Sequence, residues 1–126
     1  MSAKILVVDD SGLARRRARS VLEEAGYTVT EAEDGMAAIE SYFVTRPDVV
    51  LLDLVMKGMY GLDVLTKLRQ MDPEARVIVI SADIQTSSHE MVAAAGAAGF
   101  LIKPLGSDEL LALVRSVLNG DTDAAQ

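Results

Sequence analysis

Hydrophobic residues follow two habits along this chain. The first is a short continuous run rich in β-branched side chains: Ile5-Leu6-Val7-Val8, Val49-Val50-Leu51-Leu52, Val77-Ile78-Val79-Ile80 and, more weakly, Phe100-Leu101-Ile102. Such runs are too short for helices and suit strands buried on both faces, as parallel sheets require. Tyr27-Thr28-Val29-Thr30 alternates instead and reads as an edge strand. The second habit, between the runs, is a helical period. Ala14, Ala18, Val21, Leu22 and Ala25 share one face, and Gly26 is a C′ stop.

A second helix is predicted from Asp34 to Val44, ended by Arg46-Pro47, because a residue before proline disfavours the αR region. Leu62, Leu65 and Leu68 mark a third, closed by Asp72-Pro73. A fourth runs roughly from Gln85 to Ala95 and stops at Gly96; it is alanine-rich and short of large anchors. The fifth starts after Ser107, read as an N-cap, with Asp108-Glu109 at the positive end of the helix dipole and Leu110, Leu111, Val114 and Leu118 behind them. Residues 121–126 are expected to be a flexible tail. Strict alternation of strand and helix predicts an α/β domain with a parallel sheet and right-handed crossovers. Five such units use up residues 1–120, so one domain is expected.

Composition narrows the function. There are no cysteines, which excludes disulfides, thiolate zinc sites and cysteine nucleophiles. The net charge of −7 argues against direct nucleic-acid binding, which draws on a basic surface. No segment approaches the roughly 20 apolar residues of a membrane span. The stretch before Asp9 lacks the long apolar run and cleavage site of a secretory signal, so a cytoplasmic location without membrane insertion is expected.

In an open doubly wound sheet, ligands bind beyond the carboxyl ends of the strands. The first strand is followed by Asp9-Asp10, the third by Asp53, the fourth by Ser81 and the fifth by Lys103. Singly, each has an ordinary explanation: acids and serines after strands cap helices or form turns, and a lone lysine is usually solvated. Together they bring three carboxylates, a hydroxyl and an ammonium to one rim. Clustered carboxylates repel unless a cation joins them, and oxygen-only ligands suit Mg2+ or Mn2+ better than zinc. A carboxylate can also attack phosphorus to give an acyl phosphate. Three aspartates are balanced by a divalent ion and Lys103. An acyl phosphate of about −2 leaves one excess negative charge, which the Ser81 hydroxyl and nearby amides would then have to satisfy.

The set Asp9-Asp10, Asp53-Leu54-Val55-Met56 with Gly61, Ser81-Ala82, and Gly99-Phe100-Leu101-Ile102-Lys103-Pro104 resembles the receiver domains of two-component response regulators, especially single-domain CheY-like proteins. The resemblance covers about residues 3–118 and is jointly specific. It implies a five-stranded, flavodoxin-like sheet in the order 2-1-3-4-5 with helices on both faces. It implies that Asp53 receives a phosphoryl group from a sensor histidine kinase or a phosphotransfer protein. Mg2+ would be held by Asp10, Asp53 and the backbone carbonyl of Val55, with Asp9 acting through water. Ser81 and Lys103 would bind phosphoryl oxygens, and Phe100 would change rotamer. An output protein would read the face made by the fourth helix, fifth strand and fifth helix, and the Lys103-Pro104 bond would be cis. Val55 and Asp83 match positions that influence acyl-phosphate lifetime. One departure is Lys57-Gly58, where the family usually has proline after Met56, which predicts a less constrained loop.

Other residues have plainer readings. His89 is expected to be a solvated helix residue. Arg15, Arg16, Arg17 and Arg19 read as the outer face of an amphipathic helix, partly balanced by Glu23-Glu24. Met56, Met59 and Met71 read as core or near-core packing. Two other functions compete. A metal-dependent phosphohydrolase with an aspartyl nucleophile would need a second acid two residues after Asp53, where Val55 stands. A flavodoxin-like cofactor binder would need a phosphate cradle where Asp9-Asp10-Ser11-Gly12 is acidic.

Overall fold

The structure, a computed structural model, describes residues 2–56, 60–82 and 86–120, and of residues 86–88 the backbone alone. Five strands alternate with five helices: β1 Lys4–Val8, α1 Gly12–Glu24, β2 Thr28–Ala32, α2 Gly35–Thr45, β3 Val49–Asp53, α3 Gly61–Met71, β4 Val77–Ser81, α4 Thr86–Ala94, β5 Gly99–Ile102 and α5 Ser107–Leu118. All sheet pairings are parallel, in the order β2-β1-β3-β4-β5. The order reverses between β1 and β3, so their carboxyl ends flank the crevice such folds use for ligands.

The continuous apolar runs behave as a two-faced sheet demands. Leu6, Val8, Val50, Leu52, Val77 and Val79 join one core with Ala38 and Tyr42 of α2, Val64, Leu65 and Leu68 of α3, and Val92 of α4. Their neighbours Ile5, Val7, Val49, Leu51, Ile78 and Ile80 join a second core with Ala18 and Leu22 of α1 and Leu110, Val114 and Val117 of α5. The side-chain period of two thus sends each strand into both cores.

Local chemistry sets the helix ends. Ser11 caps α1 by accepting from Ala14 N at 3.2 Å, and Asp34 caps α2 by accepting from Ala37 N at 2.8 Å. Asp34 is therefore a cap and not the first helical residue. Helix α1 ends before Gly26, whose φ of 99° is the left-handed value a C′ glycine supplies. At α5 the expected cap is displaced. Gly106 holds the extended N-cap conformation without a side-chain bond, and Ser107 is already helical. Asp108 and Glu109 remain in that first turn, where they favour the dipole. Among the methionines, Met56 is buried, Met71 is exposed on α3 contrary to expectation, and Met59 lies outside the described residues. Lys57-Gly58, Asp83 and the tail 121–126 also lie outside them. No helix among the described residues is long and apolar enough to cross a membrane.

Candidate functional site: an acidic rim at the strand ends

The strands deliver their polar ends to one rim because their apolar runs all stop at the same level of the sheet. Val8 is the last residue of β1, and Asp9 follows it at once. Asp53 is the last residue of β3 and Ser81 the last of β4. The register sets Asp53 beside Ile80 and Ser81 beside Ile102, so Lys103 follows on the same edge. The Lys103-Pro104 bond is cis, as the resemblance implies. Asp9, Asp53 and Ser81 are buried, whereas Asp10 is exposed.

Hydrogen bonds orient the acids. Ser11 N donates to Asp9 Oδ1 at 2.9 Å, and Val55 N donates to Asp53 Oδ1 at 3.3 Å. The loop after Asp53 is drawn in by Leu54 N donating to Ile80 O at 2.8 Å and Gly61 N donating to Leu54 O at 2.7 Å. Gly61 allows that approach: a Cβ there would meet Asp53 O at 2.5 Å and Leu54 Cα at 2.6 Å. The glycine is thus a steric requirement for where Asp53 sits.

Lys103 Nζ bridges the acids, 3.2 Å from Asp9 Oδ2 and 3.3 Å from Asp53 Oδ2. Burial, and then the charge of Asp9, push the Asp53 carboxyl above its ordinary pKa, against the pull of Lys103 and the Val55 amide. Burial also works against the Lys103 ammonium, but the carboxylates of Asp53 and Asp9 outweigh it and raise its pKa. The Asp53 anion is thus disfavoured first by burial and then by the neighbouring acid, even with the Lys103 ammonium beside it. A site in that state favours a further cation.

One carboxylate oxygen each from Asp9, Asp10 and Asp53 lies within 4.8 Å of the others. Octahedral Mg2+ holds oxygens at about 2.1 Å, so opposite ligands sit about 4.2 Å apart. Ligands that are not opposite sit closer, at about 3.0 Å, so the three oxygens would draw in around a single ion. An all-oxygen donor set beside an exposed edge, with room for water, fits Mg2+ or Mn2+. The sequence reasoning brought Asp9, Asp10 and Asp53 together, and the fold does the same.

It missed two features. Arg16 and Arg17 are exposed and Arg19 pairs with Glu23 at 3.1 Å, as an outer face should, but Arg15 and Arg19 also bind Glu31 of β2, at 3.0 and 2.9 Å. An acid near the end of an edge strand, facing an arginine-rich helix, was the available signal. His89 is not fully solvated: it stacks on Phe100, with centroids 4.7 Å apart and planes at 23°. Phe100 itself is half-buried against the first core. Beside the rim an open groove of about 840 Å³ runs between α1 and the β5–α5 connection, walled by Ala14, Ala18, Val21, Pro104 and Leu105. It meets the acidic cluster only through Asp9 and Lys103.

Known proteins share this architecture. The family model for the response regulator receiver domain matches residues 5–115. The chain is 37% identical over 120 residues to the chemotaxis protein CheY of Bacillus subtilis (strain 168), covering 94% of this chain and all of that one. It is 39% identical over 118 residues to the response regulator MprA of Mycobacterium ulcerans, covering 94% of this chain and 51% of MprA. It therefore spans about half the length of that relative. The solved CheX–CheY–BeF3–Mg2+ complex from Borrelia burgdorferi gives a TM-score of 0.88 at 31% identity, covering 91% of this chain and 88% of that one. A match that extends from β1 into α5 decides the family: this chain belongs to the CheY-like receiver domains of two-component response regulators.

Proposed function

We propose that the chain is a phosphorelay switch, a single receiver domain over residues 1–120 that takes a phosphoryl group onto Asp53 with Mg2+. The observation that carries this reading is the convergence of Asp9, Asp10 and Asp53 within 4.8 Å beside Lys103. The donor is a phosphohistidine on a sensor kinase or phosphotransfer protein of the cytoplasm. An oxygen of Asp53 attacks phosphorus, the P–N bond to the donor breaks, and its electron pair leaves on the imidazole nitrogen. Asp10, Asp53 and the Val55 carbonyl would hold Mg2+, with Asp9 through water, and the ion would supply charge neutralisation for the phosphoryl oxygens. Lys103 pairs with one of those oxygens; its position 3.3 Å from Asp53 Oδ2 supports that role. Ser81 closes on another.

The added charge draws the loop after β4 inward, and Phe100 follows. The surface of α4, β5 and α5 then changes for an output protein. The half-exposed apolar side chains Met91 and Ile102 on that surface suit a protein partner. The Borrelia relative was solved in complex with a second protein, CheX, which supports a protein as the partner. The exposed Val55, with no proton to give, stands where a phosphohydrolase would need its acid, which supports a switch without external turnover.

Incubation with a small phosphodonor and Mg2+, read by intact mass, is expected to add one phosphoryl group. Omitting Mg2+ or substituting Asp53→Asn is expected to abolish it. A stable label on the Asp53→Asn chain sinks the acceptor assignment.

A further inference from the structure

A chain of charges leads from the outer surface of α1 to the backbone of the acidic rim. Arg19 Nε lies 3.1 Å from Glu23 Oε2, and Arg19 Nη1 donates to Glu31 Oε2 at 2.9 Å. The other oxygen of Glu31 accepts from Arg15 Nε at 3.0 Å. Arg15 then spends its remaining reach on the backbone: Nη1 donates to the main-chain carbonyl of Asp9 at 2.6 Å. Both members of the inner pair are largely covered, Arg15 at 16% and Glu31 at 23% side-chain exposure. Glu31 stays anionic, because the Arg19 hydrogen bond, helped by Arg15, holds its carboxyl below the ordinary range despite burial.

The same end of β2 holds the other side of Asp9, whose N–H donates to Ala32 O at 3.2 Å. Asp9 is therefore gripped at both backbone groups by consecutive residues of β2, at Ala32 directly and at Glu31 through Arg15. The carbonyl that Arg15 holds belongs to the Asp9–Asp10 peptide. That unit is planar, so orienting its carbonyl also sets the direction in which the Asp10 Cα leaves it. Two of the three clustered carboxylates hang from this one peptide.

We propose that Arg15 is a positioning residue for the cation site: clamped by Glu31, its guanidinium fixes the Asp9–Asp10 peptide so that both aspartates face Asp53. This inference rests on the reading of the acidic rim as a Mg2+ site. Metal sites tolerate displacements of only about 0.5 Å, so a peptide free to rock loses affinity even with every ligand present. Groups that orient ligands in this way are typically worth about 10–100-fold in metal affinity.

The proposal predicts a sign that simple electrostatics reverses. Arg15 is a cation near a cation site, so if it acted only by charge its removal would tighten Mg2+ binding. If it acts by orientation, removal weakens binding. Calorimetric titration of the full chain with MgCl2 is expected to show about tenfold weaker binding for Arg15→Ala. Ethylguanidinium added to that variant is expected to recover part of the loss, as is Arg15→Lys, which keeps one donor. Arg19→Ala removes a charge from the same network without touching the Asp9 carbonyl and is expected to stay within about twofold of wild type. Should Arg15→Ala not fold, Arg15→Lys against Arg19→Ala carries the comparison. Equal or tighter binding by the Arg15 variants overturns the inference alone. Absence of Mg2+ binding by the wild-type chain overturns the metal reading and this inference with it.

Discussion

The two flanks of the rim start from strands of equal quality and then part. Every residue of β4 and all of β1 after Lys4 is buried. After β1 the chain is held at each step. Asp9 is bonded through its N–H, its carbonyl and both carboxylate oxygens, Ser11 caps the helix, and α1 is anchored by Ala18 and Leu22. After β4, α4 has no acid in its first turn, and Val92 is the one buried residue among its described side chains. Met91 and Glu90 beside it are exposed, and His89 meets β5 through a ring stack. The difference teaches where preorganisation is spent. The side that carries Asp9 and Asp10 is fixed before any ligand arrives, and on the side proposed to answer phosphorylation the described side chains of α4 anchor the helix through buried Val92 and the His89 stack.

The largest expected effect tests that contrast directly. Leu22 of α1 is fully buried, and Leu22→Ala is expected to cost about 3 kcal/mol in urea unfolding, through lost transfer energy and a cavity. Val92→Ala is expected to cost less than about half of that, since α4 can settle or open without the rest of the domain. Amide exchange of the Val92→Ala chain should quicken in α4 alone. A global loss matching that of Leu22→Ala would show α4 to be as integral as α1 and would break the comparison.

A smaller effect asks whether looseness belongs to one helix or to the whole face of the sheet. Tyr42 of α2 and Val92 of α4 share the first core. Tyr42 Oη donates to Asp72 Oδ2 at 2.7 Å, tying α2 to the end of α3. The bond acts on both groups: burial, then Asp72, push Tyr42 up to about 12, and Tyr42 is the foremost cause holding Asp72 below the usual carboxylate range. Tyr42→Phe is expected to cost about 1.5 kcal/mol at neutral pH, the lower end of what a hydrogen bond to a charged group contributes, since Asp72 is only partly buried. The sign with pH follows from the lowered carboxyl. Its contribution is complete above the unfolded carboxylate pKa and fades as pH falls through the lower folded value. Wild type and Tyr42→Phe should therefore converge in stability in acid. If α4 exchange quickens along with α2 and α3 in the variant, the face and not the helix is the soft unit.

What could be read in the sequence divides along similar lines. The strands and their polar ends were legible because the change from β-branched runs to Asp9, Asp53, Ser81 or Lys103 is abrupt and local, and the topology does the rest. Helix rotation was not legible. Whether Arg15 faces water or Glu31, sixteen residues away, depends on how α1 seats on β2, and a pattern of arginines among alanines fits either. The same holds for His89. On a helix with few large apolar residues, the face that turns inward is set by packing, and no periodicity announced that it would find Phe100. Met71 and the cap at Gly106 missed by a turn or a residue, where the deciding forces are a few tenths of a kcal/mol to about one.

The smallest expected effect bears on the most exposed link of the soft flank, the stack of His89 on Phe100. Offset ring pairs contribute about 0.5–1.5 kcal/mol, so His89→Ala is expected to shift global stability by no more than about 0.5–1 kcal/mol. Its effect on Phe100 should be larger than its effect on the fold, because the stack covers one face of a ring that is otherwise only partly packed. The chain has two phenylalanines, so fluorine NMR of a 4-fluorophenylalanine-labelled sample yields one reporter and one reference. Phe43, on α2, stacks edge-on with Tyr42 and lies under Arg46, away from β5. His89→Ala is expected to move or broaden the Phe100 signal and leave that of Phe43 in place, whereas His89→Phe, which keeps a flat ring, should preserve both. An unmoved Phe100 signal in His89→Ala would mean that β5 holds the ring unaided. The second flank would then owe its give to α4 alone, and the proposed coupling between helix and ring would have to run through the backbone.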